Sequence, residues 1–525
     1  MSKFPASRRD FLRAISAGTV GAGTALTPSP GRAETAAADT DVLSLTRPAW
    51  EALDLSNGRH LFVDDYLVAA AQNLKLTLHH PDKPDKPFLL GIGSGDDNSQ
   101  PYATVLYDEE RKRFRMWYDS KKQWDSVQAL STVAYLESPD GIHWEKPYKE
   151  LFQIDGYGMS VTDGGPDDPD PAQRYKMACW EKGPPDVSIC SGDKVGISVA
   201  FSPDGLHWTK HQPQPVAGLP DMWKYSPSCD PEKKGSIQWR ESAFDCMHVT
   251  WDPIRKIYVA YVKTPSWPPA EFGYISYKGK KDRRLTSITL SPDFVNWSTP
   301  ARLLVPEADD FYSIEFGYTV RAKPRGNQML IWACLLDEAV ATCPECHGVG
   351  YTVLATSSDL VHCRRMKQPW LDRDADNPQA YDHAMAWVAD MITVGDEEYI
   401  YYAGYMKGHK NFTDRTLNIA RLRKDGFVSR DAGEEWGQLL TPMVRMDADR
   451  LTVNAKVRGE LRLKILDKSG AALPGFGEDE IAPIRGDSTA HAVKCRGSIV
   501  ALKRHPVRLA FSLRDAQLYG FELAS

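Results

Sequence analysis

The chain has 525 residues, 42% hydrophobic, 26% charged and 10% aromatic, with 38 Gly and 36 Pro. That is long enough to bury a sizeable core, and the composition excludes a disordered or collagen-like chain. The 64 Lys+Arg against 70 Asp+Glu leave a net charge of -6, which gives no electrostatic reason to expect nucleic acid or an anionic membrane as partner.

The chain opens on Ser7-Arg8-Arg9-Asp10-Phe11-Leu12-Arg13, followed by a weakly apolar stretch from Ala14 to Leu26, then Pro28, Pro30 and small residues around Ala33 to Ala38. This resembles a twin-arginine export signal. Residues 1–38 are therefore expected to be an address that is removed, leaving a mature protein that is periplasmic or secreted. The apolar stretch is too short for an ordinary transmembrane helix, and no later segment approaches the ~18 apolar residues that one needs. No membrane association is expected once the signal is gone.

Five later segments share an aromatic and β-branched strand after a charged or Gly-containing turn, starting at Phe114, Tyr175, Tyr258, Met329 and Tyr399. Their starts are 61, 83, 71 and 70 residues apart, a length that suits one four-stranded sheet with its loops. Each is followed by a further strand and a turn: SPDGIHW from Ser138, SPDGLHW from Ser202, SPDFVNW from Ser291, SSDLVHC from Ser357 and a degenerate RKDGFVS from Arg423. One such unit cannot bury both faces of its sheet, whereas a ring of them can. The chain is therefore expected to be all-β, with a five-bladed β-propeller over residues 58–435. A β-sandwich with chance similarity among its turns is the alternative. From Leu451 to Phe521 the pattern changes to short alternating strands between Gly, Pro and Asp turns, which predicts a small C-terminal β-sandwich over 440–525.

The innermost strands of a propeller bring residues from separate blades to one funnel. Taking the segment before each aromatic strand as innermost, blade three carries Asp245 ahead of His248, blade four Glu315 ahead of Tyr318, and blade five Asp382 ahead of Met385. Blade two has Asp155 in a similar place, and blade one offers Gln100 without an acid. Carboxylates that share a funnel separate their protonation behaviour, which allows one to donate a proton while another stays ionised. His248, Tyr318 and His383 flank the acids and are candidates for binding sugar hydroxyls. Asp64-Asp65, in LFVDDY, either approaches the funnel or forms an exposed turn. The same ring of acids would also suit a structural Ca²⁺.

Nine cysteines are too few for a disulfide framework in a chain of this size. Cys343-Pro-Glu-Cys346-His347 matches the C-x-x-C-H haem pattern, although nothing else suggests an electron carrier. A local disulfide is the principal alternative. A Cys/His metal site completed by Cys334 or Cys363 is another.

SPDFVNW and SSDLVHC resemble the S-x-D-L-V-x-W segments of five-bladed glycosidases, glycoside hydrolase families 32, 43 and 68 and their relatives. Arg59-His-Leu-Phe-Val-Asp-Asp-Tyr-Leu67, with FRMWY and SPDGIHW, is similar to exported bacterial proteins described as glycosyl hydrolase family 32-like. The resemblance covers about residues 58–435, and the C-terminal sandwich fits family 32. It implies cleavage of a glycosidic bond in a poly- or oligosaccharide by a carboxylate pair, with no cofactor required. The family 43 pattern has an Asp-Pro at the first inner strand and a Glu at the third; here those places hold Gln100-Pro101 and Asp245. The family 32 Asn-Asp-Pro-Asn-Gly segment is absent. The resemblance then implies Glu315 as general acid, Asp245 as nucleophile or base, and Asp155 and Asp382 as electrostatic or binding partners, with Gln100, His248, Tyr318 and His383 contacting substrate. A non-catalytic carbohydrate-binding propeller is the alternative, and Gln100 favours it. A sialidase-like hydrolase is a third, against which Arg115 and Arg321 form no visible arginine triad.

Overall fold

The computed structural model describes residues 52–84, 98–121, 131–145, 149–182, 195–218, 247–265, 284–307, 310, 314–343, 346–409 and 415–525. They fall into two compact units, Leu78–Val428 and Ser429–Ser525, the second including the chain up to Thr77. The export signal lies outside the described residues.

In the first unit the described strands form five consecutive antiparallel meanders. Blade one comprises Asn98–Asp108, Arg113–Lys121, Ser131–Ser138 and Lys149–Ile154. Blade two is built on Gly156–Asp163, Tyr175–Lys182 and Val195–Ser202, with Thr209–Lys210 and Ala217–Gly218 at its outer edge. Blade three has His248–Asp252, Ile257–Pro265, Arg284–Ser291 and Ala301–Leu304. Blade four has Ile314–Arg325, Gln328–Cys343, Cys346–Ser357 and Arg364–Arg365. Blade five has Met385–Val394, Glu397–Tyr405 and Arg415–Arg423, and its outer edge is completed by Asp82, which pairs with Arg421. All five repeated aromatic segments are second strands. Their side chains are almost wholly buried because each sheet is covered on both faces by its neighbours.

A belt of polar contacts joins the five first strands cyclically. Thr104 Oγ1 accepts from Val161 N–H at 3.0 Å, Ser160 Oγ from Val249 N–H at 3.0 Å, and His248 Nε2 lies 3.2 Å from the Ala322 carbonyl. Arg321 Nε–H donates to the Ala389 carbonyl, and Asp390 Oδ2 accepts from Val105 N–H at 2.7 Å, which returns the belt to blade one. Burying these groups is tolerable because each has a partner.

The turn after each third strand forms a second, outer set of junctions by docking on the preceding blade. Trp117 donates to the Gly205 carbonyl at 2.7 Å, Phe201 packs on Phe294, Arg255 donates to the Ser358 carbonyl, Arg325 pairs with Asp425 at 2.6 Å, and Tyr401 donates to the Gly141 carbonyl at 2.7 Å. Trp144 stacks edge-on against Tyr401, as expected of a tryptophan lying between sheets. In each S-x-D turn the serine hydroxyl and the aspartate accept backbone N–H groups, as Ser202 does from Gly205 and Asp204 from Leu206 and His207. Gly205 has φ +76°, and a Cβ there would stand 2.7 Å from Trp117 and 2.9 Å from Arg115. Gly205→Val is expected to cost more than ~2 kcal/mol, from backbone strain and overpacking together, read as a lower urea midpoint.

Desolvation works upward on Asp140 and Asp204, but hydrogen bonds from the His143 and His207 rings and backbones outweigh it and hold both carboxyls well below the ordinary range. A carboxyl depressed in the folded state stabilises above its unfolded pKa of about 3.9 and loses that contribution as pH falls. Asp204→Asn is therefore expected to be less stable than the native protein at pH 7, with the gap closing below about pH 4. Urea unfolding across that range measures it; a gap that stays constant would contradict the assignment.

The second unit is an eight-stranded sheet curled around its own core, ordered Ile484–Ala492, Arg450–Leu466, Arg508–Ala524, Val428–Ala432, Lys75–Leu78, with Gly58–Leu61, Ala70–Gln72 and Gly437–Leu440 alongside. Phe62, Leu463, Phe511 and Phe521 lie in that core. Residues 58–77, expected in the propeller, pair here instead: Gly58–Leu61 match Gly520–Leu523. Asp65 is exposed and ion-paired with Arg430 at 3.0 Å, and Asp64 Oδ1 caps the Tyr66 N–H at 2.9 Å. LFVDDY is thus a strand end and turn of this second sheet.

Cys343 and Cys346 form a disulfide at the tip of the second hairpin of blade four, so no thiol remains there to attach haem. Cys334 is a buried free thiol against Thr352 Oγ1, pushed up to about 12 by burial. Among the described residues no group of three His, Cys, Asp or Glu is placed to hold a metal.

Candidate carbohydrate site

The direction of the first strands decides which side chains share a space. Phe316 lies parallel to Leu285 and Met385 parallel to Gly350, so the first strands of blades four and five each run parallel to the third strand of the blade before. Since alternate strands within a meander are also parallel, the first strands of blades three, four and five cross the belt in the same sense. Residues preceding the belt therefore lie at one end of the ring. Glu315, at the start of the blade-four first strand, and Asp382, just before that of blade five, both belong there. Asp155 occupies the corresponding bend before Gly156–Asp163 and is exposed.

Glu315 is buried, and its carboxylate is ion-paired with Arg284, which starts the third strand of blade three. The same guanidinium nitrogen lies 3.2 Å from Glu338 Oε1, on the second strand of blade four. The pairing of Glu315 with Leu336 is followed by a register shift before Thr319 and Cys334. A bulge at this place re-aims the strand where the carboxylate must turn toward its partner. Asp382 is also buried; Lys83 Nζ reaches its Oδ2 at 2.8 Å, and the Tyr402 hydroxyl donates to it. Burial, then the Asp382 charge, pushes the Tyr402 phenol far above its usual range.

His383 is half-buried and bound within its own loop, Nδ1 lying 3.0 Å from the Asp374 carbonyl. His248, expected to contact substrate, is instead a belt residue: its Nδ1 lies 3.3 Å from Ser160 Oγ and its Nε2 on the Ala322 carbonyl. Burial, with Arg321 and Lys323 adding to it, holds its pKa well below the usual value, so the ring is neutral. It serves inter-blade cohesion because it sits at belt depth. Asp245 lies outside the described residues, as do the side chains of Gln100 and Tyr318.

Several groups at this end were not anticipated. Asp119, buried one residue beyond the FRMWY strand, accepts from Gly158 N–H at 3.4 Å, and Glu181, at the end of the next aromatic strand, pairs with Lys210 at 2.5 Å. Lys263 is five residues past the start of its repeat in blade three, as Asp119 is in blade one, and Glu338 lies further along the longer second strand of blade four. A signal for them existed: the second strand ends where the first begins, so charged residues just past the aromatic motif belong to the same end.

No protein-family model matches the chain, and no curated protein does. Solved structures do. One described as a glycoside hydrolase aligns over 65% of this chain and 92% of its own at 14% identity, with TM-score 0.42. An N-acetylgalactosamine deacetylase from F. plautii, in complex with blood group B trisaccharide, aligns over 68% and 97% at 14% identity and TM-score 0.39. A Bombyx mori family 32 β-fructofuranosidase aligns over 85% and 94% at 10% identity and TM-score 0.38.

Proposed function

We propose that this chain is an exported glycoside hydrolase whose mature form, free of residues 1–38, cleaves a poly- or oligosaccharide at the acidic end of the propeller. The observation that carries the reading is the presence of two buried carboxylates from separate blades at one end of the belt, each fixed by a cation from another element: Glu315 by Arg284, which also reaches the half-buried Glu338, and Asp382 by Lys83. Glycosidic cleavage needs one carboxyl to protonate the leaving oxygen and a second to act as nucleophile or base. Glu315 is assigned to the first role and Asp245 to the second; Asp382 and Asp155 are electrostatic or substrate-binding partners. Aryl glycosides and oligosaccharides offered to the mature protein test this, with turnover that Glu315→Gln abolishes as the expected result.

The second reading is a carbohydrate-binding propeller without turnover. One observation favours it: Glu315, Glu338, Asp382 and Glu181 all contact Lys or Arg, an arrangement that presents hydrogen-bonding groups to sugar hydroxyls without requiring proton transfer. Binding of oligosaccharides with no hydrolysis would establish it.

A further inference from the structure

We infer that Lys83 is a positioning residue for the candidate site, holding Asp382 in place through the same short segment that closes the ring. The inference rests on the glycoside-cleaving reading above. Asp82 exchanges backbone hydrogen bonds with Arg421 at 2.8 and 2.9 Å, and His79 N–H donates to the Phe427 carbonyl at 3.0 Å. The segment thereby covers the outer edge of blade five through a bridge at Asp82, contributed from before blade one. One residue further on, Lys83 turns inward: its Nζ donates to Asp382 Oδ2 at 2.8 Å and to the Asp372 carbonyl at 2.8 Å.

Two features set this contact apart from a surface ion pair. The Asp382 side chain is only 9% exposed and that of Lys83 28%, so solvent screens the pair little. The partners also fix each other's geometry from several directions. Asp374 N–H donates to the Asp382 carbonyl at 3.2 Å, and Tyr402 bonds the Asp382 carboxylate. Between the closing segment and the Trp370–Asp374 loop is a cavity of about 340 Å³, with Lys83 in its wall. Without the ammonium group, Asp382 loses the cation that fixes its carboxylate, and a displacement of ~1 Å in a reacting constellation costs about 100-fold in rate.

The test uses the mature protein on the best p-nitrophenyl glycoside or oligosaccharide from the panel, comparing Lys83→Met, Lys83→Arg and His80→Ala. The inference expects kcat to fall at least ~30-fold in Lys83→Met with KM changed less than ~3-fold, and Lys83→Arg to recover most of it. His80→Ala loses the contact with the Trp370 carbonyl at 3.0 Å but leaves both Lys83 bonds in place; it is expected to lower Tm while keeping kcat. Unchanged kcat in Lys83→Met, or an equal loss in His80→Ala, overturns the inference and leaves the glycosidase reading standing. If the native protein binds sugars without cleaving them, the glycosidase reading fails, and the same comparison is made on oligosaccharide Kd, where an unchanged value in Lys83→Met overturns the inference. A native protein that neither binds nor cleaves overturns both.

Discussion

Glu315→Gln is expected to lower kcat on any glycoside the protein cleaves by about 1,000-fold or more. The size follows from the chemistry: the amide keeps the shape and the hydrogen-bonding capacity but has no proton to donate to a departing alkoxide. The fold is expected to survive, because Arg284 retains Glu338 as a partner. Steady-state kinetics beside a thermal melt provides the check. Activated aryl glycosides, whose leaving groups need little protonation, should be less affected than oligosaccharides, and that difference separates a proton donor from a binding carboxylate. Equal and small losses on both substrate types would remove Glu315 from the donor role.

The second large effect concerns stability. Arg115 is 1% exposed, its guanidinium lying 4.8 Å from the Trp117 ring centroid and 5.0 Å from that of Tyr175. It donates to both Tyr135 and Tyr175 hydroxyls at 2.8 Å, pairs with buried Asp108 at 3.4 Å and reaches the Asp204 carbonyl of blade two. Arg115→Met removes the cation and with it the donor to four groups, leaving buried Asp108 with Arg111 at 3.7 Å and the N–H groups of Glu110 and Arg111, a loss of about 3 kcal/mol. Lysine should recover little, since one nitrogen cannot span partners arranged for a planar fork. The urea midpoint of the propeller, followed by tryptophan fluorescence, measures both variants. Asp108→Asn combined with Arg115→Met should recover part of the loss, because the less compensated buried charge is gone.

The ring was legible because its parts repeat. Phe114, Tyr175, Tyr258, Met329 and Tyr399 mark five strands of one kind, and four S-x-D turns with the degenerate turn at Asp425 mark five junctions, so agreement among copies stood in for long-range information. Residues 58–77 had no second copy to be compared with. Their alternation is that of any half-buried strand, and the partner of Gly58–Leu61 lies at Gly520–Leu523, beyond the reach of local pattern. Depth along the channel was equally hidden. At ~3.3 Å per residue, a few positions separate a group at the mouth from one in the belt, and His248 fell on the inner side of that line. Arg284, Glu338 and Lys83 were missed for a different reason: acids were sought only on first strands, whereas second strands, third strands and the closing segment also deliver side chains to that end.

The junction between Tyr401 and Gly141 joins groups 260 residues apart in sequence. Every other turn docks on a blade made just before it, so four junctions become available in order as the chain emerges, and this one only when the fifth blade exists. Loop-closure entropy makes such a contact slow to form. Until it does, blade one presents an uncovered apolar flank, with Phe114 and Met116 open to whatever chain is nearest. The interval between synthesis of the first and last blades is therefore the period of greatest exposure to misassembly. A chain truncated before Tyr401 should remain in that state and collect in aggregates, even though most of its sheets are complete.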